Sequence, residues 1–143
     1  MLLADAIAAI PPSGTAELLG QKLLAYDAAS TRARVAFTGR PEFLNPAGYI
    51  QGGFLTAMMD DTMGPSIWLA TEGKVFPVTI DFSVSFLGAA SVGQLIGEAR
   101  VVQLGKTIAF LEAQLADGDG RLVARATASV RLVQPDGVRP RDA

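Results

Sequence analysis

The sequence predicts an α+β domain in which a curved antiparallel sheet wraps around one central helix. Residues 52–70 form a long helical segment that is apolar on nearly every face, which is typical of a helix buried on most sides. Four strand-like segments follow it, joined by short turn sequences. A buried helix followed by a run of strands is an α+β pattern, and 143 residues correspond to a single domain, 1–143.

The segment that precedes the central helix is predicted to contain two short helices, two strands and a loop. Residues 1–19 form a helical extension, in which Pro11 to Gly14 end a first helix and a further turn follows. In chain order the predicted elements are a helix at 2–10, a turn at 15–19, strands at 21–28 and 32–38, and a loop at 39–48.

Pro65 lies inside the central helix and is predicted to interrupt it. A proline has no backbone N–H, so it cannot donate to the carbonyl of Asp61 four residues earlier. We therefore expect a kink or a restart of the helix near Gly64.

The second half of the chain shows the two-residue period of strands. Ile80, Phe82, Val84 and Phe86 alternate with polar residues, and this pattern predicts a strand with one apolar face. Strands are predicted at 94–104, 107–117 and 121–133, with turns at 105–106 and 117–120. The polar residues 134–143 are expected to be a flexible tail.

The composition excludes several classes of function. The chain has no Cys and no His, which excludes disulfides, thiolate or histidine metal sites and the Ser-His-Asp triad. The net charge is −2 and no basic run exceeds two residues, so we do not expect nucleic-acid binding; without Cys or His we expect no metal site. The N-terminus lacks the positive start of a secretory signal and no apolar stretch could span a bilayer, so we expect a cytoplasmic protein without membrane contact.

Two features of the central helix suggest chemistry. Gly52 and Gly53 open it, and bare backbone N–H groups at a helix N-terminus suit a polarised carbonyl oxygen. Asp60 and Asp61 lie two turns later, where a carboxylate in an apolar helix is costly. Taken separately, a Gly-Gly pair is more often a turn and a helical Asp more often faces solvent, so the argument depends on their combination.

The spacing of these features predicts a dimer. Gly52 and Asp60 are eight residues apart, which is about 12 Å along a helix axis. They cannot both contact one carbonyl group within one subunit. If both serve the same reaction, Asp60 must meet Gly52 of a second copy, as in a two-fold dimer with two shared sites.

The motifs resemble those of the hotdog-fold acyl-CoA thioesterases of the phenylacetic-acid-degradation (PaaI-like) type. They are the run Asn45-Pro46-Ala47-Gly48-Tyr49-Ile50-Gln51-Gly52-Gly53, Asp60 seven residues later, Val78-Thr79-Ile80-Asp81-Phe82, and Gly105-Lys106-Thr107. The resemblance covers residues 20–133. It implies a sheet around a central helix and two subunits joined edge to edge.

The resemblance also implies roles for five residues. Gly52 would donate its N–H to the thioester carbonyl and Asn45 would help to position or polarise that group. Asp60 of the other subunit would act as nucleophile or as general base on water, which Thr79 would hold. Gln51 stands where the family usually has His; an amide side chain still donates and accepts hydrogen bonds.

Further residues are expected to bind the substrate. Gly53, Asp61 and Phe54 lie beside the proposed catalytic groups in the sequence, and helical phase alone does not choose between Asp60 and Asp61 as the base. Lys106 is a candidate for the coenzyme A phosphates, as are Lys74 and Arg40. The candidate lining of an acyl pocket is Phe54, Met58, Trp68, Phe76 and Phe82.

The function expected from the resemblance is hydrolysis of a small or aromatic acyl-CoA to the free acid and CoA. Coenzyme A is then part of the substrate and no separate cofactor is needed. The alternative is a non-catalytic hotdog module that binds acyl-CoA as a sensor or carrier, which Gln51 favours. Hydratase activity is disfavoured because those hotdog enzymes use a His. In either case we expect a homo-oligomer, a dimer or a dimer of dimers.

Overall fold

The computed structural model describes residues 3–137 as three α-helices, six strands and two short 3-10 turns. The helices are α1 (Leu3–Ala8), α2 (Gly14–Leu19) and α3 (Gly52–Ala70), and the 3-10 turns are Pro41–Phe43 and Pro135–Gly137. The strands are β1 (Lys22–Asp27), β2 (Arg32–Gly39), β3 (Phe76–Phe86), β4 (Gly93–Leu104), β5 (Ile108–Asp117) and β6 (Leu122–Val133).

The strands form one antiparallel sheet in the order β1-β2-β4-β5-β6-β3. Helix α3 lies against this sheet and contacts β2, β3, β4, β5 and β6. The predicted α+β class and the hotdog arrangement, a curved sheet around a central helix, are confirmed.

The buried face of the sheet and the apolar helix form one core. Met58, Met59 and Ile67 of α3 are fully buried against it, and on β6 one face, formed by Ala124, Ala126, Ala128 and Val130, is buried. Every second residue of this part of β6 therefore contributes to the core. This core holds α3 in a fixed position relative to the sheet.

Helix and sheet approach each other closely at Gly97 on β4. A Cβ atom built there would overlap the hydroxyl of Thr62 on α3, at a separation that real Cβ contacts do not reach, and would lie 3.2 Å from Cε2 of Phe37. The lack of a side chain at residue 97 is what lets the middle of α3 lie against the sheet.

Pro65 does not break α3, so the restart expected near Gly64 is wrong. The helix runs unbroken from Gly52 to Ala70. The carbonyl of Asp61 has another donor, because Nε2 of Gln21 lies 2.8 Å from it. A side chain from the segment between α2 and β1 thus replaces the missing backbone bond.

Strand β3 differs from the prediction in two ways. Its neighbour is β6 rather than β4, so β3 and β4 are not a hairpin, and the chain crosses from one edge of the sheet towards the middle. A bulge lies between Thr79 and Asp81, and the intervening Ile80 is 60% exposed. The apolar face predicted for this strand holds at Phe82 and Val84, which pack against the core, and fails at Ile80 and at the exposed Phe86.

Within the described part of the N-terminal extension, residues 3–8 and 14–19 form helices α1 and α2. The N-terminus of α2 is capped by Ser13, whose Oγ accepts from the N–H of Ala16 at 3.0 Å. Residues 138–143 of the predicted tail lie outside the described residues. Within residues 3–137, no helix combines the length and apolarity that crossing a bilayer requires.

Candidate active site

The side chains of Asp60 and Thr79 meet between α3 and the edge strand β3. Oγ1 of Thr79 donates to Oδ1 of Asp60 at 2.9 Å. Both residues are exposed in the single chain, so the carboxylate is accessible from outside the core. Because the hydroxyl uses one lone pair of Oδ1, Oδ2 remains available to a ligand.

Asp60 and Thr79 line a cavity of about 640 Å³. Its walls come from α3, the start of β3 and the segment between α1 and α2. Apart from Asp60, Thr79 and Gly64, the lining residues are Ile10, Pro11, Pro12, Ser13, Gln21, Asp61, Met63, Pro65, Trp68, Phe76, Pro77 and Val78. The volume and the mostly apolar lining suit a small organic group.

Asp61 also lines this cavity but has a different environment from Asp60. Its Oδ2 accepts from Nε2 of Gln21 at 2.9 Å, and the residue is partly buried. Burial, and then the neighbouring charge of Asp60, raise the pKa of Asp61 to about 6, against the smaller lowering effect of the Gln21 bond. A proton therefore binds Asp61 more readily than an ordinary aspartate.

The N-terminus of α3 presents free backbone donors. Within residues 3–137 the N–H groups of Gly52 and Gly53 have no hydrogen-bond acceptor, as is usual in the first turn of a helix. Gln51 precedes them in an extended conformation, and its exposed side chain makes no capping bond. The helix dipole adds positive character here, so the two N–H groups suit an oxyanion.

The Asn45 loop is organised by the asparagine side chain. Oδ1 of Asn45 accepts from the N–H groups of Ala47 at 3.0 Å and Tyr49 at 3.1 Å, and the Asn45 N–H donates to the Tyr49 carbonyl at 2.7 Å. Nδ2 of Asn45 has no acceptor within residues 3–137, so it remains a free donor. The loop then leads into Gln51, whose N–H bonds to the Phe43 carbonyl at 2.8 Å.

The two groups of candidate residues are separated along both α3 and β3, because Gly52 begins α3 whereas Asp60 lies in its middle. A Cβ atom at Gly52 would lie 3.0 Å from Cζ of Phe86, which places Gly52 beside the last residue of β3. Thr79, which contacts Asp60, lies seven residues earlier, or about 23 Å along an extended strand. One chain therefore does not bring Asp60 and Gly52 to the same carbonyl group.

The remaining predicted residues divide between the cavity and the core. Trp68 and Phe76 line the cavity and stack on each other with ring centroids 4.8 Å apart. Phe54, Met58 and Phe82 do not line it. Phe54 stacks on Phe43 with centroids 4.2 Å apart, Met58 is fully buried, and Phe82 packs against the core.

The candidate phosphate ligands lie on the surface. Lys106 is exposed in the β4–β5 turn and has no ion-pair partner in the part of the chain that the structure describes. Lys74 is also exposed, whereas Arg40 pairs with Glu42 at 2.8 Å. None of the three lines the cavity that contains Asp60.

Two parts of the site were missed in the sequence. One is Gln21. Pro65 indicates that the Asp61 carbonyl needs a donor from elsewhere in the chain, but nothing in the sequence identifies Gln21 as that donor. The other is the segment 10–13, whose prolines indicate only the end of a helix. Both lie far from Asp60 in the chain and reach it through tertiary contacts.

Comparison with known proteins identifies the family. Residues 47–124 match the family model described as the thioesterase superfamily. Human acyl-coenzyme A thioesterase 13 is 27% identical over 125 residues, which cover 86% of this chain and 89% of that protein.

Solved structures agree with this match. The crystal structure of a phenylacetic acid degradation-related protein from Ralstonia eutropha JMP134 is 31% identical, with a TM-score of 0.82, covering 90% of this chain and 98% of the other. The E. coli PaaI protein from the phenylacetic acid degradation operon shares the fold, with a TM-score of 0.76 and 20% identity over 91% of this chain and 90% of its own. The fold and site define a hotdog protein with a carboxylate on its central helix. The chain belongs to the thioesterase superfamily.

Proposed function

We propose that the protein is an acyl-CoA thioesterase that works as a homodimer, with Asp60 of one copy and the Gly52 N–H of the other serving one site. The observation that supports it best is the Asp60–Thr79 pair at the rim of an apolar cavity. The pair supplies a positioned carboxylate, and the cavity supplies room for an acyl group. The likeness to human acyl-coenzyme A thioesterase 13 supports the choice of substrate.

The free edge of β3 supports the dimer. β3 is an 11-residue edge strand with β6 on one side only, and on its surface Val78 is 46% and Ile80 60% exposed. A long edge of this kind is a template for pairing with another strand. A two-fold axis perpendicular to the sheet would pair the two β3 strands antiparallel.

Antiparallel pairing would assemble the site. Thr79 and Asp60 lie towards one end of β3, and Phe86 and Gly52 lie at the other. Reversing the second strand brings the Asp60 end of one copy beside the Gly52 end of the other, at both ends of the interface. If the two β3 strands were parallel, the Asp60 end of one copy would lie beside the Asp60 end of the other. No site would then contain both Asp60 and Gly52.

The chemistry then follows from these groups. The thioester carbonyl oxygen accepts from the Gly52 N–H and from Nδ2 of Asn45, which stabilise the negative charge that develops on it. Asp60, oriented by Thr79, either attacks the carbonyl carbon or takes a proton from an attacking water. When water attacks, the tetrahedral intermediate collapses with cleavage of the C–S bond, the proton held by Asp60 passes to the departing thiolate of CoA, and the free acid is released. When Asp60 attacks, the same cleavage leaves an acyl–Asp60 anhydride, and the thiolate takes a proton from solvent. Water then hydrolyses the anhydride, which releases the free acid and restores the Asp60 carboxylate.

A second candidate is a non-catalytic acyl-CoA-binding module. Gln51 favours it, because it stands where the family usually has His and its side chain makes no hydrogen bond within the described residues. Such a protein would keep the cavity and the dimer but would not turn over its ligand.

A panel of acyl-CoA esters, with the released thiol measured by a colorimetric reagent, separates the two candidates. The thioesterase releases CoA, whereas the binding module retains intact ester at equilibrium. Release of CoA from no ester in the panel would overturn the thioesterase proposal.

Mixed dimers test the shared site. Asp60→Asn and Gly52→Pro should each be inactive as homodimers, because one lacks the carboxylate and the other lacks the donor N–H. Unfolding and refolding them together gives mixed dimers, each with one site that has both groups, so activity should reappear. Asp60→Asn refolded alone is the matched control. Failure of the mixture to regain activity, although mixed dimers form, would show that each site is built from a single chain.

A further inference from the structure

The segment Ile10–Ser13 closes one side of the Asp60 cavity, although it belongs to the N-terminal extension outside the sheet and its central helix. It packs beside Trp68 and Phe76, and Ile10 contributes to the small cluster around Ala6 and Trp68. Trp68 is eight residues after Asp60, or about 12 Å further along α3. The segment therefore meets the cavity well away from the carboxylate.

The segment is held at both ends. On one side, Nε1 of Trp68 donates to the Ala6 carbonyl at 2.9 Å, and Ala6 is buried. On the other side, Ser13 caps α2, and Gln21 after α2 is bonded twice to Asp61. Pro11 and Pro12 between them have fixed φ angles, so the segment is stiff as well as anchored.

The chemistry of the lining restricts what the cavity can hold. Ile10, Pro11, Pro12, Trp68 and Phe76 offer apolar surface, so contact with hydrocarbon is favourable. Asp60 and Asp61 line the same cavity, and a second carboxylate on a ligand would be repelled by them. The cavity therefore suits an uncharged aliphatic or aryl acyl group.

We propose that Ile10–Ser13 is the wall that sets the upper size of the acyl group, with Ile10 as the residue that determines where a chain stops. This inference rests on the proposed thioesterase function. It assigns specificity to the N-terminal extension rather than to the central helix and sheet.

Two opposite substitutions test the wall. Ile10→Ala removes side-chain volume, and Ile10→Phe adds it. The reference point is the longest straight-chain acyl-CoA that the parent hydrolyses well. For the ester one step longer, we expect Ile10→Ala to raise kcat/KM about 10-fold. For the reference ester itself, we expect Ile10→Phe to lower kcat/KM about 10-fold. Opposite shifts along a series of straight-chain esters cannot both come from general destabilisation.

Ile7 provides the matched control. It lies on α1 in the same extension, is 39% exposed, and does not line the cavity. Ile7→Ala and Ile7→Phe should leave the length profile unchanged. If the Ile10 variants give the same length profile as the Ile7 variants, the proposal that Ile10 limits the acyl group is wrong.

Binding without turnover separates this inference from the proposed function. Trp68 is the single tryptophan of the chain and lines the cavity, so its fluorescence reports occupation. In an Asp60→Asn background, octanoyl-CoA and longer esters are titrated with and without the Ile10 substitutions. If the Ile10 substitutions change the acyl length that binds best, the proposed role of Ile10–Ser13 is supported even if the parent hydrolyses nothing. If they leave the preferred length unchanged, that role is wrong.

Discussion

Oγ1 of Thr79 donates a 2.9 Å hydrogen bond to Oδ1 of Asp60, and this bond joins the central helix to the edge strand of the sheet. Thr79→Val keeps the shape and removes the donor, so the Asp60 carboxylate loses the group that fixes its rotamer. We expect kcat to fall about 10-fold, the scale of one hydrogen bond to a charged group. Thr79→Ser retains a hydroxyl and should keep most of the activity. Equal kcat for Thr79→Val and the parent in steady-state assays would contradict this role.

The two neighbouring aspartates should differ in their effect on turnover. Asp60→Asn preserves volume and removes the charge, and we expect kcat to fall at least ~100-fold because a positioned base is lost. Asp61→Asn should cost far less, since Gln21 can still donate to the new amide oxygen. Circular dichroism and light scattering on both variants check that fold and assembly are retained. A larger loss for Asp61→Asn would reverse the assignment.

Gly52 allows a test of a backbone donor. The Gly52 N–H has no intrahelical partner, and Gln51 before it is extended with ψ of 139°, which is the conformation preferred before proline. Gly52→Pro therefore suits the first position of α3 while removing the N–H, and we expect kcat to fall ~100-fold or more. Gly52→Ala places the same Cβ beside Phe86 but keeps the N–H, so it is the control. The idea fails if both variants lose activity equally.

The raised pKa of Asp61 predicts a pH dependence of stability. Between the ordinary value of 3.8 and about 6, the folded state binds a proton that the unfolded state has released. The contribution of Asp61 to stability is therefore greatest at low pH and is lost as pH rises through about 6. We expect the Tm of Asp61→Asn, relative to the parent, to increase from pH 4 to pH 7.5 in thermal melts. A difference in Tm that is constant across this range would mean that Asp61 titrates normally.

The close approach at Gly97 predicts a packing penalty. Gly97→Ala should destabilise the fold by about 1–3 kcal/mol, because the new methyl group overlaps the Thr62 hydroxyl and the surrounding core is dense. Adding Thr62→Ala should recover part of the loss, and denaturant titrations of the two single variants and the double variant measure the coupling. Gly14→Ala, where no atom lies within 4 Å, is the control. Additive effects of the two substitutions would show that the overlap is relieved elsewhere.

The secondary structure could be read from the sequence wherever a local pattern was strong. The central helix predicted at 52–70 coincides with Gly52–Ala70. The apolar run is bounded by a Gly-Gly pair and by polar residues, so its limits as a helix are clear from the sequence. The pairing of β3 with β6 could not be read in the same way. Strand order depends on which edges meet after the chain crosses the sheet, and alternation within one strand carries no information on its neighbour.

Pro65 shows the limit of a local rule. A proline inside a helix costs a hydrogen bond, and the rule predicts an interruption. Here Gln21, forty residues before Asp61, donates to the Asp61 carbonyl instead. The sequence left the choice between Asp60 and Asp61 open for the same reason, because the contacts that distinguish them are tertiary. Helical phase could not distinguish them because α3 is apolar on most faces. In the folded chain Asp60 accepts a hydrogen bond from Thr79, whereas Asp61 accepts one from Gln21. The catalytic role of Asp60 stays a prediction.

The division of α3 between two environments bears on how such a protein can diverge. The sheet-facing side of the helix is packed so closely that even Gly97 has no room for a methyl group, so substitutions there are selected against through stability. The cavity, in contrast, takes much of its wall from residues 10–13 and 76–79, which lie at the periphery of the fold. New substrate preferences can therefore arise by drift in a short N-terminal stretch while the interior stays constant. Closely related chains should accordingly vary most in acyl preference where their N-terminal extensions differ, even when their central helices are the same.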